Sequence, residues 1–432
     1  MKRLTFILVA LLCVLGMAGP VLQNADSAQA RQDVTITQIA SQDWIVDAEM
    51  ELAVQFEEET GIHVDFQIIP ADQYFNVLQT KLNTGEAPDI FGGQSGKTDL
   101  RINYDVETNA VPLTDQEWVS RMEPLVTEQV SLDGEVYGMS LMDPFGAWAV
   151  VYNKTIFDDL GLSIPTTYEE FKTICQAIQK AGITPIFEPV SAGWHHVLWF
   201  PEIGPRYEEV TPGLAEALNT NQSLFADDPT MLTALEQLNE MYDLGFFGEY
   251  ALSDTYEETA EYLANGEYAM TVGNSGLIGQ IEAEYGVPAD TFGYFVMPLA
   301  DNQILNLNPA GPSKFVYSGS DHIDEALAYL DFLARPENLQ YIIDNTPRFK
   351  GFSFTGLEYD YTAAEQTFFD LYPERGTVYQ TQVNYLNPQW MEIGQDISAM
   401  FIGDAEPMDV LKNIDARRAD MAEAANDPAW GG

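Results

Sequence analysis

Cysteine is scarce in this sequence, since only Cys13 and Cys175 occur among the 432 residues. Residues 1–30 have the features of a secretory signal peptide, and their removal would leave Cys175 alone. A single cysteine allows no internal disulfide and no cluster of thiolate metal ligands in the mature chain. Cys175 shares one predicted helical face with Phe171 and Ile178, so we expect it to be a core residue.

The N-terminal segment predicts export. Lys2 and Arg3 precede an apolar run at 4–15, and Ala28-Gln29-Ala30 fits an A-x-A cleavage site. We expect a secreted protein, located in the periplasm or at the outer face of the cytoplasmic membrane. No later stretch reaches about 18 uninterrupted apolar residues, so the mature protein is expected to be soluble. Leu12 precedes Cys13 where a lipid-anchor signal has a small residue, which argues against an anchor there.

Basic residues are few. Lysine and arginine number 19 against 67 aspartates and glutamates, and the formal charge is −48. Such a surface repels nucleic acid and anionic membranes, so neither is an expected partner. Most of these carboxylates are expected on solvated helix faces, where they favour solubility, including in salty surroundings. The same charge would also attract a cationic ligand.

Histidine is rarer still, with four in the sequence. His195 and His196 are adjacent, but no H-E-x-x-H pattern or cysteine partner accompanies them. A zinc site needs more nitrogen or sulfur ligands than this pair supplies. The sequence therefore predicts no zinc site, and it contains no pattern that indicates a cofactor.

Signatures of nucleotide or nucleophile chemistry are also missing. Residues 92–98 end like a phosphate-binding loop, but Phe91 stands where that loop needs its first glycine. No G-x-S-x-G pattern is present. A glycoside hydrolase needs only two suitably spaced carboxylates, and a chain this acidic leaves that alternative open.

The N-terminal part of the mature chain alternates between strand and helix patterns. Residues 34–39 and 62–68 alternate apolar and polar side chains, as strands do. Residues 47–60 have helical spacing and end at Gly61, and a third strand pattern covers 88–91. This rhythm predicts a parallel sheet, which binds ligands at the carboxyl ends of its strands. The loops at those ends hold Asp43, Trp44, Gln94 and Ser95.

Residues 133–162 predict a crossing between two lobes. Strand-like residues 136–142 meet Pro144 and Gly146, and a strand pattern resumes at 147–152. Proline fixes one φ angle and removes a donor, and glycine permits the rest of the bend. Such crossings act as hinges when lobes move. The alternative is a β-hairpin within one rigid domain. Further crossings are predicted at 297–298 and 346–355.

An aromatic loop follows the predicted strand at 183–187. That strand leads to Glu188 and then to Trp194 and His195. A flat ring with a polar tip suits a sugar, because the CH face stacks on the ring while the hydroxyls find polar partners. The alternative for aromatic residues here is core packing, which we expect for Trp199.

Six segments keep a characteristic order and spacing over nearly all of the mature chain. They are FEEETGIHV at 56–64, LNTGEAPDI at 82–90, DGEVYG at 133–138, VYNKTIFDDLGL at 151–162, PTTYEEF at 165–171, and GEYAM with Asn274-Ser275 at 266–275. Together they resemble the extracellular solute-binding proteins (family 1) of carbohydrate ABC transporters, the group that contains maltose-binding protein.

The resemblance implies an α/β fold: a two-lobed periplasmic-binding-protein-like clamp. Each lobe would be a mostly parallel sheet flanked by helices, with three hinge crossings between the lobes. We predict an N-terminal lobe at 31–142 and 299–346, and a C-terminal lobe at 143–298 and 347–432. The resemblance further implies a monomer without catalytic activity, which captures a sugar, expected to be an oligosaccharide, and delivers it to the permease subunits of an ABC importer.

The resemblance also implies ligand contacts at the loops and crossings. The predicted ligand-binding residues are Asp43, Trp44, Gln94, Ser95, Asp143, Trp148, Glu188, Trp194, His195, Asn274, Ser275 and Gly311. We expect the three tryptophans to be stacking surfaces and Asp43, Gln94, Glu188, His195 and Asn274 to be hydroxyl partners. Many relatives have a tryptophan shortly after the Asn-Ser turn. Gly276-Leu277 stands here instead, so one stacking surface is expected to be missing.

A polyamine or another cationic solute is the alternative ligand for the same fold. Asp43, Asp143 and Glu188 would then hold ammonium groups, and the aromatic residues would supply cation–π contacts.

Overall fold

The structure is a computed structural model that describes residues 34–42, 44–143, 148–346, 349 and 351–430. The predicted signal segment, Asp43 and the predicted hinge residues Pro144 and Gly146 lie outside the described residues. The strands are β1 Val34–Ser41, β2 Ile62–Ile69, β3 Ile90–Gln94, β4 Ser131–Leu132, β5 Glu135–Val136, β6 Gly138–Ser140, β7 Ala149–Asn153, β8 Thr184–Phe187, β9 Tyr268–Gly273, β10 Phe292–Phe295, β11 Leu305–Leu307, β12 Pro312–Val316 and β13 Arg375–Thr377.

The helices flank these strands on both sides of the chain's two main sheets. They are α1 Asp47–Thr60, α2 Ala71–Thr84, α3 Val106–Asn109, α4 Pro124–Gln129, α5 Lys154–Leu160, α6 Tyr168–Lys180, α7 Gly204–Val210, α8 Leu214–Asn219, α9 Pro229–Asp243, α10 Thr259–Asn265, α11 Ser275–Tyr285, α12 Ile323–Leu333, α13 Pro336–Asp344, α14 Ala363–Leu371, α15 Tyr379–Gln382, α16 Trp390–Phe401 and α17 Pro407–Ala424. Within the described residues, none of them is long and apolar enough to span a bilayer.

The first lobe is built on a five-stranded sheet in the order β2-β1-β3-β12-β6. Strand β1 is covered on both faces, since Ile36 and Ile39 lie on opposite faces of the strand and are both fully buried. Helix α1 ends where Gly61 adopts a left-handed φ of 77°, and its N–H bonds the Glu57 carbonyl. Glycine pays no steric penalty in that conformation, so it can stop the helix and start β2 at once. The predicted strand–helix–strand rhythm is confirmed.

The second lobe is built on a four-stranded sheet in the order β10-β7-β9-β8. Every residue of β9 is buried, as expected of a central strand covered on both faces. Cys175 is fully buried in the core of this lobe, which confirms the sequence prediction. The two lobes have separate apolar cores, so the predicted two-lobed α/β architecture is confirmed.

One strand in each sheet runs against the others. β12 is antiparallel to β3 and β6, and β7 is antiparallel to β9 and β10. Both reversed strands begin directly after the chain has crossed from the other lobe. A chain that arrives at the carboxyl edge of a parallel sheet has to run away from that edge, so the crossings set these directions.

Core contacts correct the positions of the later crossings. Leu299 and Leu305 pack in the second-lobe core, so the predicted boundary at 297–299 comes too early. Phe352 and Phe354 pack in the first-lobe core, so the predicted third crossing at 346–355 also comes too early. The crossings lie instead after β11 and shortly before α14. Because apolar residues after each predicted break still pack in the core of the preceding lobe, the chain leaves that lobe several residues later than predicted.

Candidate functional site

The predicted site residues that the structure describes gather at the carboxyl edge of each sheet. In the first lobe, Gln94 pairs with Pro312, which places Ser95 and Gly311 side by side at that edge. In the second lobe, Ala149 pairs with Gly273, which places Trp148 beside Asn274. The crossings join these two edges, so the edges border one interlobe cleft.

A polar cavity lies between the lobes near the crossings. Its lining residues are Gln94, Ser95, Gly96, Lys97, Thr98, Asp99, Asn308, Ala310, Gln380, Thr381, Val383, Asn384, Tyr385, Asn387 and Pro388. The first-lobe wall is the segment after β3, and the second-lobe wall is the segment 380–388. The Thr98 hydroxyl donates a 3.2 Å hydrogen bond to Asn384 Oδ1, which connects the two walls.

Uncharged amides dominate the second-lobe wall. Asn308 Nδ2 donates to Gln380 Oε1 at 3.2 Å, and Gln380 Nε2 donates to Asn387 Oδ1 at 2.9 Å. The Thr381 hydroxyl donates to Asn308 Oδ1. Each amide has two donor hydrogens and two acceptor lone pairs, so these bonds leave capacity for a ligand. Sequence reasoning missed this wall, although the amide-rich run at 380–389 is unusual in so acidic a chain.

Among the described residues that line this cavity, Lys97 and Asp99 are the two with charged side chains. Lys97 is 64% exposed and lies 3.8 Å from Glu128. Asn103 Nδ2 donates to Asp99 Oδ1 at 2.6 Å, but burial outweighs this bond and raises the pKa of Asp99 to about 6. The cavity is therefore close to electrically neutral, whereas the protein as a whole is strongly acidic.

Aromatic rings form a cluster at the second-lobe edge. Trp148 and Trp194 meet edge to face at 5.7 Å between ring centroids, and Tyr256 meets Trp194 at 4.9 Å. All three rings are partly exposed. Trp390 Nε1 donates to the Trp194 carbonyl at 3.0 Å, which fixes the loop from behind. Tyr256 was not predicted, and no local pattern marks it.

Glu188 and His195 lie beneath this cluster and have a different role from the predicted one. Both are fully buried. His195 Nδ1 contacts Glu188 Oε1 at 2.6 Å, and Trp199 Nε1 donates to Glu188 Oε2 at 2.7 Å. His195 Nε2 donates to the Val272 carbonyl at 3.0 Å. These polar atoms are engaged within the protein, so the two residues support the aromatic cluster and do not reach the cleft as hydroxyl partners.

Other predicted residues are partly engaged by the protein. Ser95 and Gly311 bond each other: the Gly311 N–H donates to Ser95 Oγ at 2.8 Å, and the Ser95 N–H donates to the Gly311 carbonyl at 3.1 Å. Asn274 Oδ1 accepts from the Gly276 N–H at 3.0 Å and caps α11, in which Ser275 is the first residue. These contacts fix the cleft backbone, and they leave the Asn274 Nδ2 donors for other partners.

Trp44 and Asp143 occupy separate parts of the first-lobe edge. Trp44 is partly exposed and packs edge to face against Tyr74 at 5.0 Å and Phe75 at 5.9 Å. Burial and, secondarily, the Asp143 carboxylate raise the pKa of Tyr361, which places Asp143 near the third crossing. Neither residue lines the cavity described above.

Comparison with known proteins identifies the family. The family profile described as bacterial extracellular solute-binding protein matches residues 42–340. The chain belongs to this family. The family prediction made from the six sequence segments is thereby confirmed.

Named relatives cover most of the chain. The multiple sugar-binding protein of Streptococcus mutans is 21% identical over 78% of this chain and 81% of its own length. The melibiose/raffinose/stachyose-binding protein MelE of Bacillus subtilis is 24% identical over 79% of each. The sn-glycerol-3-phosphate-binding periplasmic protein UgpB of Escherichia coli is 25% identical over 77% of this chain and 76% of its own length.

Solved structures agree on the fold. A chitin oligosaccharide binding protein superposes with a TM-score of 0.75 at 18% identity, covering 91% of this chain and 99% of that one. The putative binding protein MsmE of Bacillus subtilis, in an open conformation, superposes with a TM-score of 0.74 at 18% identity, covering 91% of this chain and 98% of that one.

Proposed function

We propose that this protein captures a neutral sugar, an oligosaccharide, in the interlobe cleft and delivers it to the permease of an ABC importer at the outer face of the membrane. The observation that carries the proposal is the composition of the cavity, which is lined mainly by uncharged amides and hydroxyls. Such groups match sugar hydroxyls, which both donate and accept. A ligand that leaves them unpaired is rejected strongly.

The aromatic cluster supports the same ligand class. Trp148, Trp194 and Tyr256 present partly exposed rings at the carboxyl edge of the second-lobe sheet. The CH face of a pyranose stacks on such rings, while its hydroxyls reach the amide wall. Relatives named for sugars, including raffinose and stachyose, favour an oligosaccharide over a monosaccharide.

Charged ligands fit the cavity less well. A phosphate ester, as in the glycerol-phosphate relative, needs cationic donors, and Lys97 is the one cation lining the cavity as described. A polyamine needs several carboxylates, but Glu188 is committed to His195 and Trp199. Asp99 remains as the one carboxylate among the described lining residues, and a single carboxylate cannot pair with several ammonium groups.

Capture would proceed by lobe closure. A ligand that contacts both walls binds the closed form more tightly, and this difference in affinity shifts the population towards it. The Thr98–Asn384 hydrogen bond marks where the walls meet. In this proposal the protein is a monomer and changes no covalent bond of the ligand.

Isothermal titration calorimetry tests the ligand class. Melibiose, raffinose, stachyose and chitin oligosaccharides are titrated against the signal-free protein, with spermidine and glycerol 3-phosphate as charged competitors. We expect micromolar or tighter Kd for at least one neutral oligosaccharide and no saturable binding of either charged compound. Tight binding of a charged compound alone would overturn the proposal. Hydrolysis of a bound glycan would favour the glycoside hydrolase instead.

A further inference from the structure

Tyr385 is an unusual residue of the cleft wall. Its φ is +63°, in the left-handed region that bulky side chains rarely adopt. It lines the cavity and is nevertheless buried, with 4% of its surface exposed. A strained backbone of this kind persists only where the surroundings hold it, and such strain is concentrated at functional sites.

The C-terminal turn supplies that hold. The Tyr385 hydroxyl donates to Asp427 Oδ2 at 2.8 Å. The other oxygen of Asp427 accepts from the Ala429 N–H at 2.9 Å, which closes the turn. The Trp430 ring meets the Tyr385 ring edge to face at 6.3 Å. The chain's last described residues, 427–430, therefore contact the cleft wall directly.

The same turn also covers Arg418, a buried residue that binds Asn384, the neighbour of Tyr385 in the cleft wall. Arg418 is fully buried, and its guanidinium lies 5.0 Å from the Trp430 ring. Arg418 Nε donates to the Asn384 carbonyl at 3.0 Å, and the Asn384 N–H donates to Asn219 Oδ1 at 2.8 Å. The Asn384 backbone is thus fixed from behind the wall, and its side chain is left to face Thr98 across the cleft.

We propose that the turn 427–430 is a positioning element of the binding site. It holds Tyr385 in the left-handed conformation and shields Arg418, and through these residues it fixes Asn384, whose amide faces the cleft. This inference rests on the proposed function for the identity of the ligand, but the positioning itself can be measured without a ligand. Affinity and selectivity for the sugar then depend on a segment that does not contact it.

The test compares Tyr385→Phe with Tyr341→Phe in the signal-free protein. Each variant removes one phenol-to-carboxylate hydrogen bond, because the Tyr341 hydroxyl donates to Glu51 in the first lobe, away from the cavity. Hydrogen exchange of the amides at 380–388 is measured for both. We expect exchange at these amides to be at least fivefold faster than wild type in Tyr385→Phe and unchanged in Tyr341→Phe.

Binding supplies the second measurement, with the tightest sugar of the calorimetric panel as the probe. Tyr385→Phe should raise Kd three- to tenfold and change the ratio of Kd values between two sugars, which a general loss of stability would not do. Equal exchange and equal Kd in the two variants would overturn the positioning role. If no sugar binds the wild type, the proposed function fails, and the exchange result alone still decides the role of the turn.

Discussion

Replacing Trp194 by alanine should weaken sugar binding without unfolding the protein. The ring is partly exposed at the cleft edge and is supported by Trp148 and Tyr256. Stacking on an indole contributes about 0.5–1.5 kcal/mol beyond area burial. Burying roughly 40 Å² of apolar surface adds about 1 kcal/mol at about 25 cal/mol per Å². The total, about 1.5–2.5 kcal/mol, corresponds to a roughly 10- to 70-fold rise in Kd.

Calorimetry with the tightest panel sugar measures this change, and circular dichroism at the titration temperature shows that the variant is folded. Trp118→Phe is the matched control, because Trp118 is a buried tryptophan of the first-lobe core whose Nε1 donates to Asp331. The control should lose stability but keep its Kd. A folded Trp194→Ala protein with wild-type affinity would show that this ring does not contact the sugar.

Three further predictions concern stability and the support of the site. Burial raises the pKa of Glu202 from 4.5 to about 8, although Asn306 donates to it. Because the folded pKa is the higher one, wild-type stability should fall as pH rises from about 4.5 to about 8, by up to about 5 kcal/mol, and Glu202→Gln should flatten this slope in thermal melts. In Gly394→Ala, the new Cβ would lie 1.8 Å from the Gly193 carbonyl oxygen, so melting temperature and sugar affinity should both fall as the Trp194 loop shifts. If this variant bound the sugar with wild-type affinity, the position of the Trp194 loop would not matter for binding. The charge of −48 predicts a melting temperature that rises from 0.1 to 1 M NaCl, as the screening length shortens from about 10 to about 3 Å; a flat profile would show that repulsion between carboxylates does not limit stability.

Much of the fold could be predicted because local signals agreed with one another. The α1 helix was predicted at 47–60 and is observed at those residues, since its apolar spacing and Gly61 both define its end. The later crossings were misplaced because prolines and glycines at 298 and 347–351 look like breaks. Proline and glycine mark local bends, whereas lobe membership depends on which distant core receives Leu305 or Phe352.

The candidate site was predicted only in part, for a related reason. The loops after β1 and β3 follow from parallel-sheet geometry, which places strand ends at one edge. No such rule predicts the position of the wall at 380–388, because contacts with residues distant in sequence bring this segment to the cleft. Asn219 accepts from the Asn384 N–H and Arg418 donates to the Asn384 carbonyl, and neither residue is near Asn384 in sequence.

Glu188 and His195 show why residue type alone misleads at a strand end. Strand periodicity assigns alternate residues to opposite faces, but the rule stops where the strand stops, so a polar residue just beyond it can face the cleft or the core. Here the backbone turns Glu188 inwards, where His195 and Trp199 occupy both of its oxygens. A carboxylate buried in this way would cost free energy if it lost those partners, and its retention is explained by the loop it supports. The polar groups available to a sugar are therefore expected to be those outside this buried network: the amides of the cleft wall, which carry no charge to desolvate.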